Sequence, residues 1–303
     1  MPEAAPTVFV VGEALVDIVV DGADHREHPG GSPMNVAYGL ARLGLATRLR
    51  TSIGRDERAA ALEAHLASVG VALDPASITD ARTSTAVATI QVDRHAEYEF
   101  DIAWDPGAIE APQETRLIHT GSIASVLAPG ADDVLRLFDA ARARALLSFD
   151  PNVRPGVTPD RTAALARVDS LAALAHVVKM SDEDAAWLHP DLDLDGVLDR
   201  YLAAGATLVA ITRGGSGCLI ASAADRLRLP SLPVDVVDTI GAGDAFMSGM
   251  LYAILSSGID LTLRQGSVAA SDLRFVAEVA LRSARVTVSR AGATPPTLAE
   301  LSA

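Results

Sequence analysis

The chain has 303 residues, 49% of them hydrophobic, and a formal net charge of −14. This size and composition predict one large α/β domain, and the acidic balance argues against a general nucleic-acid-binding protein, which needs a basic face. With a single cysteine, Cys218, the chain forms neither an internal disulfide nor a CxxC metal site. No secretory pattern opens it and no apolar run reaches the roughly 18 residues of a membrane span, so we expect a cytoplasmic protein without membrane contact.

The N-terminal segment predicts alternating strands and helices. The sequence "TVFVVGEALVDIVV" (7–20) reads as two strands separated by a glycine break. Residues 31–44 predict a helix with Ser32 as its N-cap. A strand over 46–54 and a helix over 56–70 follow.

The segment "TSTAVATIQVDRHAEYEFDIAW" differs from its surroundings, because it alternates in polarity and is rich in threonine, valine and aromatic residues. It predicts a β-hairpin with its turn at 93–95. Since no helix follows it, we expect a separate antiparallel piece outside the main sheet. Gly22 and Pro29 predict that the stretch between them is a loop.

The remainder alternates between strand and helix, which predicts βαβ units around a mostly parallel sheet with helices on both faces. The segments 218–222 and 225–230 predict an antiparallel edge. No internal repeat or low-complexity linker is present. The predicted strands are 116–124, 145–153, 175–181 and 207–215, and the predicted helices are 131–144, 161–174, 181–188, 194–205, 242–258 and 262–286.

The motif "DTIGAGDAF" (238–246) places a glycine turn at the start of a predicted helix. Backbone N–H groups at a helix N-terminus lack partners, and glycine lets a ligand approach them, so Gly241, Ala242 and Gly243 suit an anion. Asp244 in the first turn suits acceptance of a proton from an attacking hydroxyl. The alternative is that Asp244 is an ordinary charge of the first helical turn.

A second glycine turn, "PGGSPMNVA", precedes the helix at 31–44. Gly30 and Gly31 bring the backbone close to a ligand, and the amide of Asn35 offers a donor and an acceptor, as a polyol requires. The alternative is an ordinary junction between loop and helix. The only lysine, Lys179, follows valine, so the chain has no Walker A sequence and would bind a nucleotide by another route.

Together, these two motifs resemble the two signatures of the PfkB family of carbohydrate kinases. They occur in the family's order, about 200 residues apart, and the resemblance extends from "VVGEALVDI" to "VSRAGATPP". It implies a ribokinase-like three-layer α/β/α sandwich with a mostly parallel sheet. It also implies that residues 1–303 form one domain, with a β-sheet lid made from about 13–22 and 83–105.

The resemblance also implies ATP-dependent phosphorylation of a sugar with Mg²⁺. In this chain Asp244 would be the general base, and the three residues before it would form the anion hole. Arg154, in "DPNVRP", would reach the sugar or the transferred phosphate. The residues implied to hold the sugar hydroxyls are Asp17, Gly30, Gly31 and Asn35, and those implied to bind the nucleotide are Thr212, Gly214, Gly217 and Ala270.

Cation sites are implied at two places. Asp184, in "SDED", would reach Mg²⁺ through water, although the family pattern has glutamate there. Backbone carbonyls of Asp238 and Ile240 would hold a monovalent cation such as K⁺, and Ile240 replaces a threonine of the family pattern.

Within the family, the segments "GEALVDI", "HTGSIA" and "FDPNVRP" are most similar to bacterial fructokinases, which implies phosphorylation of the primary hydroxyl of D-fructose. A 2-keto-3-deoxygluconate kinase, a kinase for a phosphorylated sugar and a non-catalytic sugar-binding regulator remain open, with Asp244 favouring an enzyme. Substrate choice would rest on lid residues such as Tyr98, Phe100 and Trp104. A homodimer through the lid is expected from its exposed strands.

Overall fold

The computed structural model of the protein describes residues 7–22, 24–90 and 96–302, with the backbone alone for 96–98. The strands form two sheets, and the predicted turn at 93–95 lies outside the described residues. In the described part the strands are β1 (Val8–Val11), β2 (Leu15–Asp21), β3 (Asp24–Gly30), β4 (Thr47–Arg50), β5 (Ala72–Leu73), β6 (Thr85–Ile90), β7 (Ala96–Asp101), β8 (Leu117–Gly121), β9 (Leu146–Asp150), β10 (Val177–Ser181), β11 (Leu208–Thr212), β12 (Cys218–Ala221) and β13 (Arg226–Leu229).

Helices cover both faces of the larger sheet and connect its strands. None of those that the structure describes is long and apolar enough to cross a bilayer. The helices are α1 (Ser32–Arg42), α2 (Glu57–Ala67), α3 (Gly130–Ala141), α4 (Arg161–Ala172), α5 (Asp182–Leu188), α6 (Leu194–Ala203), α7 (Ala242–Ser257), α8 (Ile259–Arg264), α9 (Ala270–Val288) and α10 (Leu298–Ser302).

The larger sheet has nine strands in the order β13-β12-β11-β10-β9-β8-β1-β4-β5. It is parallel except for β12 and β13, which form the predicted antiparallel edge. Side chains of β1 alternate between two buried cores: Val8 and Val10 pack with α1, α2 and α7 to α10, whereas Phe9 and Val11 pack with α3 to α6. A strand buried on both faces is typical of a parallel sheet between two helical layers.

The smaller sheet has the order β3-β2-β6-β7. The sequence prediction of a loop between Gly22 and Pro29 was wrong, because β3 pairs with β2 along the whole length of both strands. Proline and charged side chains are tolerated there because β3 is an edge strand. On one face of the sheet Leu15 and Ala86 pack with Ile123, beside the carboxyl ends of the larger sheet.

Two helix boundaries also differ from the predictions. The N-cap of α1 is Gly31, with φ of 107°, and Ser32 is already helical. The predicted helix at 262–286 is interrupted, because α8 ends at Arg264 and Gly266 takes a φ of 81° before α9 begins. A positive φ stops a right-handed helix, and glycine adopts it without steric cost.

Candidate active site

Residues of the candidate site follow the carboxyl ends of four parallel strands of the larger sheet. Ligands of open α/β sheets bind at this edge. The segments after β1, β9 and β11 carry Glu13, Arg154 and Gly214, respectively, and β10 leads directly into α5. The N-termini of α1 and α7 reach the same edge, since their first turns are joined by hydrogen bonds.

Asp244 lies in the first turn of α7, behind a glycine turn. Gly241 is the N-cap and has a left-handed conformation with φ of 73°. The N–H of Ala242 donates to the carbonyl of Thr239 at 3.2 Å. The amides of Gly243 and Asp244 follow at helix positions that lack an intrahelical partner, so they are the donors best suited to an anion.

Two side chains of α1 hold the carboxylate of Asp244. Ser32 Oγ donates to Oδ1 at 2.6 Å, and Asn35 Nδ2 donates to Oδ2 at 2.9 Å. The two sequence motifs therefore meet at one buried carboxylate. Asn35 was predicted to bind the sugar; the structure places it against Asp244, with its carbonyl oxygen as a further acceptor.

Asp17 projects from β2 beside the glycine turn that precedes α1. A Cβ on Gly30 would lie 2.0 Å from Asp17 Oδ2, and one on Gly31 would lie 2.6 Å from the carbonyl oxygen of Glu13. Because neither glycine has a Cβ, there is room for the carboxylate of Asp17 beside Gly30 and for the carbonyl of Glu13 beside Gly31. Asp17 is exposed to solvent at the site mouth, but the protein atoms around its carboxylate desolvate it and raise its pKa to about 6, and the charges of Arg154 and His28 oppose this effect.

Arg154 lies in the exposed loop after β9 and lines a cavity at this edge of the sheet. Its positive charge lowers the pKa values of both Glu13 and Asp17, against the larger effect of burial. Asn152, two residues earlier, takes a φ of 36°, which is uncommon for a residue other than glycine. The loop thus brings a cation to the edge where Asp17 and Asp244 lie.

The cavity has a volume of about 890 Å³ and extends from Asp244 along the carboxyl ends of β10 and β11. Thr212, Gly214 and Gly217, which the resemblance implied for nucleotide binding, line this cavity. Gly217 has a φ of 84°, and a Cβ there would lie 2.1 Å from a backbone oxygen. Ala270 does not line it; the end of α9 does, through Leu281, Ala284, Arg285 and Val288.

Asp184 lies on the cavity wall near the start of α5. Its Oδ1 accepts the N–H of Val153 at 2.8 Å, and its Oδ2 accepts the N–H of Ser181 at 2.9 Å in a capping box. The carboxylate thereby joins the loop after β9 to α5. Within the described residues, no group of three or more histidine, cysteine or carboxylate side chains is arranged to hold a metal ion by itself.

The side chain of Asp238 joins two loops beside the glycine turn. It accepts the N–H of Ile240 at 3.0 Å and that of Gly292 at 2.9 Å. The first of these loops carries Asp238 and Ile240, which the resemblance implied for a monovalent cation. The side chain of Ile240 is 62% exposed and needs no hydroxyl to hold the loop, because its backbone N–H makes the bond.

Sequence reasoning missed a buried polar patch beneath the start of α7. Val177 of β10 belongs to the core under α7, so Lys179, two residues on, faces the same way. Asp150, Ser148 and His119 occupy the corresponding positions of β9 and β8. The signal was present as four polar residues at positions where the strand period requires apolar ones.

Within this patch, Lys179 Nζ lies 2.8 Å from Asp150 Oδ2, and His119 Nδ1 lies 2.9 Å from Ser148 Oγ. Burial alone would lower the pKa of Lys179, but Asp150, Asp244 and Asp184 together raise it. Burial, aided by the charge of Lys179, lowers the pKa of His119 to about 3. The patch therefore holds one ammonium and one neutral imidazole at neutral pH.

Of the lid residues named from sequence, Trp104 packs in the core with α3 rather than in the cavity, and its indole N–H donates to the carbonyl of Ala124 at 3.1 Å. Phe100 packs with Leu15 and Ala86 on the inner face of the small sheet. The side chain of Tyr98 lies outside the described residues.

Comparison with known proteins connects this geometry to a family. Residues 6–300 match the model of the pfkB family of carbohydrate kinases. A fructokinase of Rhizobium leguminosarum bv. trifolii is 33% identical over 270 residues, which are 85% of this chain and 82% of that protein.

Solved structures agree with this match. A fructokinase from Xylella fastidiosa with bound ATP superposes with a TM-score of 0.84 at 25% identity, covering 97% of each chain. A fructokinase from Vibrio cholerae O395 in a form with fructose, ADP and calcium ion gives 0.83 at 25% identity, covering 98% of each chain. The predicted ribokinase-like fold is confirmed. The chain belongs to the pfkB family of carbohydrate kinases and is a sugar phosphotransferase.

Proposed function

We propose that the protein is a fructokinase that transfers the γ-phosphoryl group of ATP to the primary hydroxyl of D-fructose. The observation that carries this proposal is the position of Asp244. It lies in a helix start suited to binding an anion, and it is held by two side chains of α1, the helix that begins at the glycine turn proposed to bind the sugar. A regulator that only binds sugar has no need of a carboxylate at this point.

Asp244 acts as the general base. The sugar hydroxyl gives its proton to the carboxylate while its oxygen forms a bond to the γ-phosphorus. The bond between that phosphorus and the β,γ-bridging oxygen breaks, and its electron pair leaves with ADP. The amides beside Gly243 stabilise charge on the transferred group, and such positioned donors supply much of the catalysis of phosphoryl transfer.

The sugar end of the site is built around Asp17. Its carboxylate, the turn at Gly30 and Gly31, and the carbonyl of Asn35 are the acceptors for sugar hydroxyls. Arg154 reaches the sugar or the transferred phosphate from the opposite loop. The smaller sheet is the lid over this end and excludes water, which would otherwise accept the phosphoryl group.

The 890 Å³ cavity takes the nucleotide. Thr212, Gly214 and Gly217 lie along the phosphates and ribose, and the last turns of α9 flank the adenine. Mg²⁺, which the nucleotide brings, neutralises phosphate charge when bound. Asp184 and Asp244 offer oxygen atoms of the kind that Mg²⁺ prefers, and the lack of a complete protein cage among the described residues fits an ion that keeps several waters.

Two further assignments extend the proposal. The carbonyls of Asp238 and Ile240 hold K⁺, and the bond from Gly292 to Asp238 supports this by joining the two loops concerned. The protein acts in the cytoplasm and forms a homodimer through the outer surface of the lid. Sedimentation of the purified chain tests the dimer: a species of two chains is expected, and a monomer would remove this assignment.

An ADP-release assay over a panel of sugars tests the activity. Fructose is expected to support turnover, and D244N, which keeps the shape of Asp244 and removes the base, is expected to lower kcat by roughly 10²–10⁴-fold. Turnover that prefers 2-keto-3-deoxygluconate or fructose phosphate would reassign the substrate. Sugar binding without turnover on any sugar would favour the regulator.

A further inference from the structure

The only lysine of the chain lies buried on β10, beneath the first turn of α7. Lys179 is 3% exposed, and its ammonium contacts Asp150, which is fully buried. Burying an ion pair is costly, and apolar residues of similar volume often replace one without loss of stability. The pair therefore calls for a reason other than stability.

Its position supplies such a reason. A Cβ on Gly243 would lie 3.1 Å from Lys179 Nζ, and no other side chain that the structure describes, beyond those of the two adjacent residues, comes within 4 Å of that point. Gly243 belongs to the helix start proposed to bind the transferred phosphate, and Lys179 lines the same cavity. The ammonium therefore approaches the anion site from the sheet, where the glycine leaves room for it.

A cation at this position offsets the negative charge of the nearby carboxylates. Asp150, Asp184 and Asp244 all act on Lys179, and two of these carboxylates, those of Asp184 and Asp244, also line the cavity. Oδ1 of Asp150 is buried without a hydrogen-bond partner among the described residues, so the pair is not a closed network. An ammonium has three donors, and the bond to Asp150 leaves others for a ligand.

We propose that Lys179 is a catalytic residue that binds the transferred phosphoryl group from the sheet side of the anion hole. It offsets the repulsion between that group and Asp244, the role that a Walker A lysine plays in folds with a P-loop. The assignment rests on the proposed phosphate site. Its structural alternative is that Lys179 only neutralises Asp150.

The single lysine allows a direct test by NMR. Protein labelled with ¹⁵N and ¹³C in lysine gives one side-chain signal, that of Lys179. We expect this signal to shift strongly with the non-hydrolysable β,γ-imido analogue of ATP, less with ADP, and little with adenosine. Thermal shifts verify that each ligand binds. A signal that responds to the analogue no more than to adenosine, although both bind, would overturn the proposal.

Kinetics separate the two roles of the lysine. The single variant K179M leaves Asp150 unpaired and is prone to unfold. The double variant K179M/D150N is therefore compared with the single variant D150N, in which Lys179 is retained. We expect K179M/D150N to show a kcat roughly a hundredfold or more below that of D150N, with the sugar KM little changed. Equal rates of the two variants would show that Lys179 serves only Asp150.

Separate measurements test the proposed function and the role of Lys179. Wild-type protein on the sugar panel reports whether the enzyme phosphorylates fructose, and the NMR signal needs no turnover. A wild-type protein that is inactive on fructose but shows the phosphate-dependent shift would keep the role of Lys179 in phosphate binding and remove only the substrate assignment.

Discussion

Ser32 donates a hydrogen bond of 2.6 Å to Oδ1 of Asp244 across 212 residues of sequence. Three residues further along α1, Asn35 holds the other carboxylate oxygen. Hydrogen bonds to an ionised acceptor are roughly twice as strong as neutral ones. The helix at the sugar end therefore fixes the orientation of the proposed base at the phosphate end.

Removal of this hydroxyl tests whether orientation matters for turnover. We expect S32A to lower kcat by roughly ten- to a hundredfold, because a hydrogen bond to a charged group contributes about 1.5–3 kcal/mol, with a smaller change in the sugar KM. Steady-state ADP release measures both. The matched control is S248A, since Ser248 is equally buried on α7 but bonds its own helix through Ala245. Equal losses in the two variants would assign Ser32 a structural role only.

The sequence was sufficient to predict those parts of the fold that depend on local patterns. Strand and helix alternation predicted the parallel sheet, and the glycine turns at Gly31 and Gly241 marked two helix starts. It failed at β3, where pairing with β2 overrides the signals of Gly22 and Pro29. Edge strands accept such residues, so local propensity alone could not identify this one.

Contacts between residues that are far apart in the sequence could not be predicted from the sequence alone. Ser32 was predicted as an N-cap because serine favours that position, but in the fold its hydroxyl meets Asp244. Ala270 was predicted at the adenine, yet Leu281, eleven residues and about 16 Å further along α9, lines the cavity. Which end of a long helix reaches the site depends on how α9 packs against α7, and a single sequence does not report that.

Glu13 makes stability depend on pH. Burial raises its pKa from 4.5 to about 7, although Ser122 and the N–H of Ala124 oppose this by hydrogen bonding. The unfolded chain therefore releases this proton at lower pH than the folded protein does, and its contribution destabilises the fold as pH rises from about 4.5 to 7. We expect E13Q to gain stability relative to wild type across this range, as measured by urea unfolding at pH 5 and pH 8. A difference that does not vary with pH would contradict this.

Asp17 is expected to make sugar binding depend on pH. Its pKa is raised to about 6, mainly by desolvation, so the carboxylate becomes protonated as pH falls below that value and loses acceptors for sugar hydroxyls. The sugar KM should therefore rise at pH 5 relative to pH 8. The variant D17N, which does not titrate, should show a high KM with little change between the two pH values. If D17N retains the pH dependence of wild type, another group is responsible.

Gly241 and Gly258 cap the two ends of α7 in the same left-handed conformation, with φ of 73° and 78°. Alanine at either position incurs a backbone cost of about 1–2 kcal/mol. At Gly258 the new Cβ meets nothing within 4 Å, whereas at Gly241 it would lie 2.6 Å from the Cβ of Ala293. We expect both variants to lose some thermal stability and only G241A to lose nucleotide affinity and kcat, because the clash shifts the amides proposed to bind the phosphate. Isothermal titration with ADP and steady-state assays of both variants measure this; similar activity in the two would show that the conformation of this turn does not set the anion site.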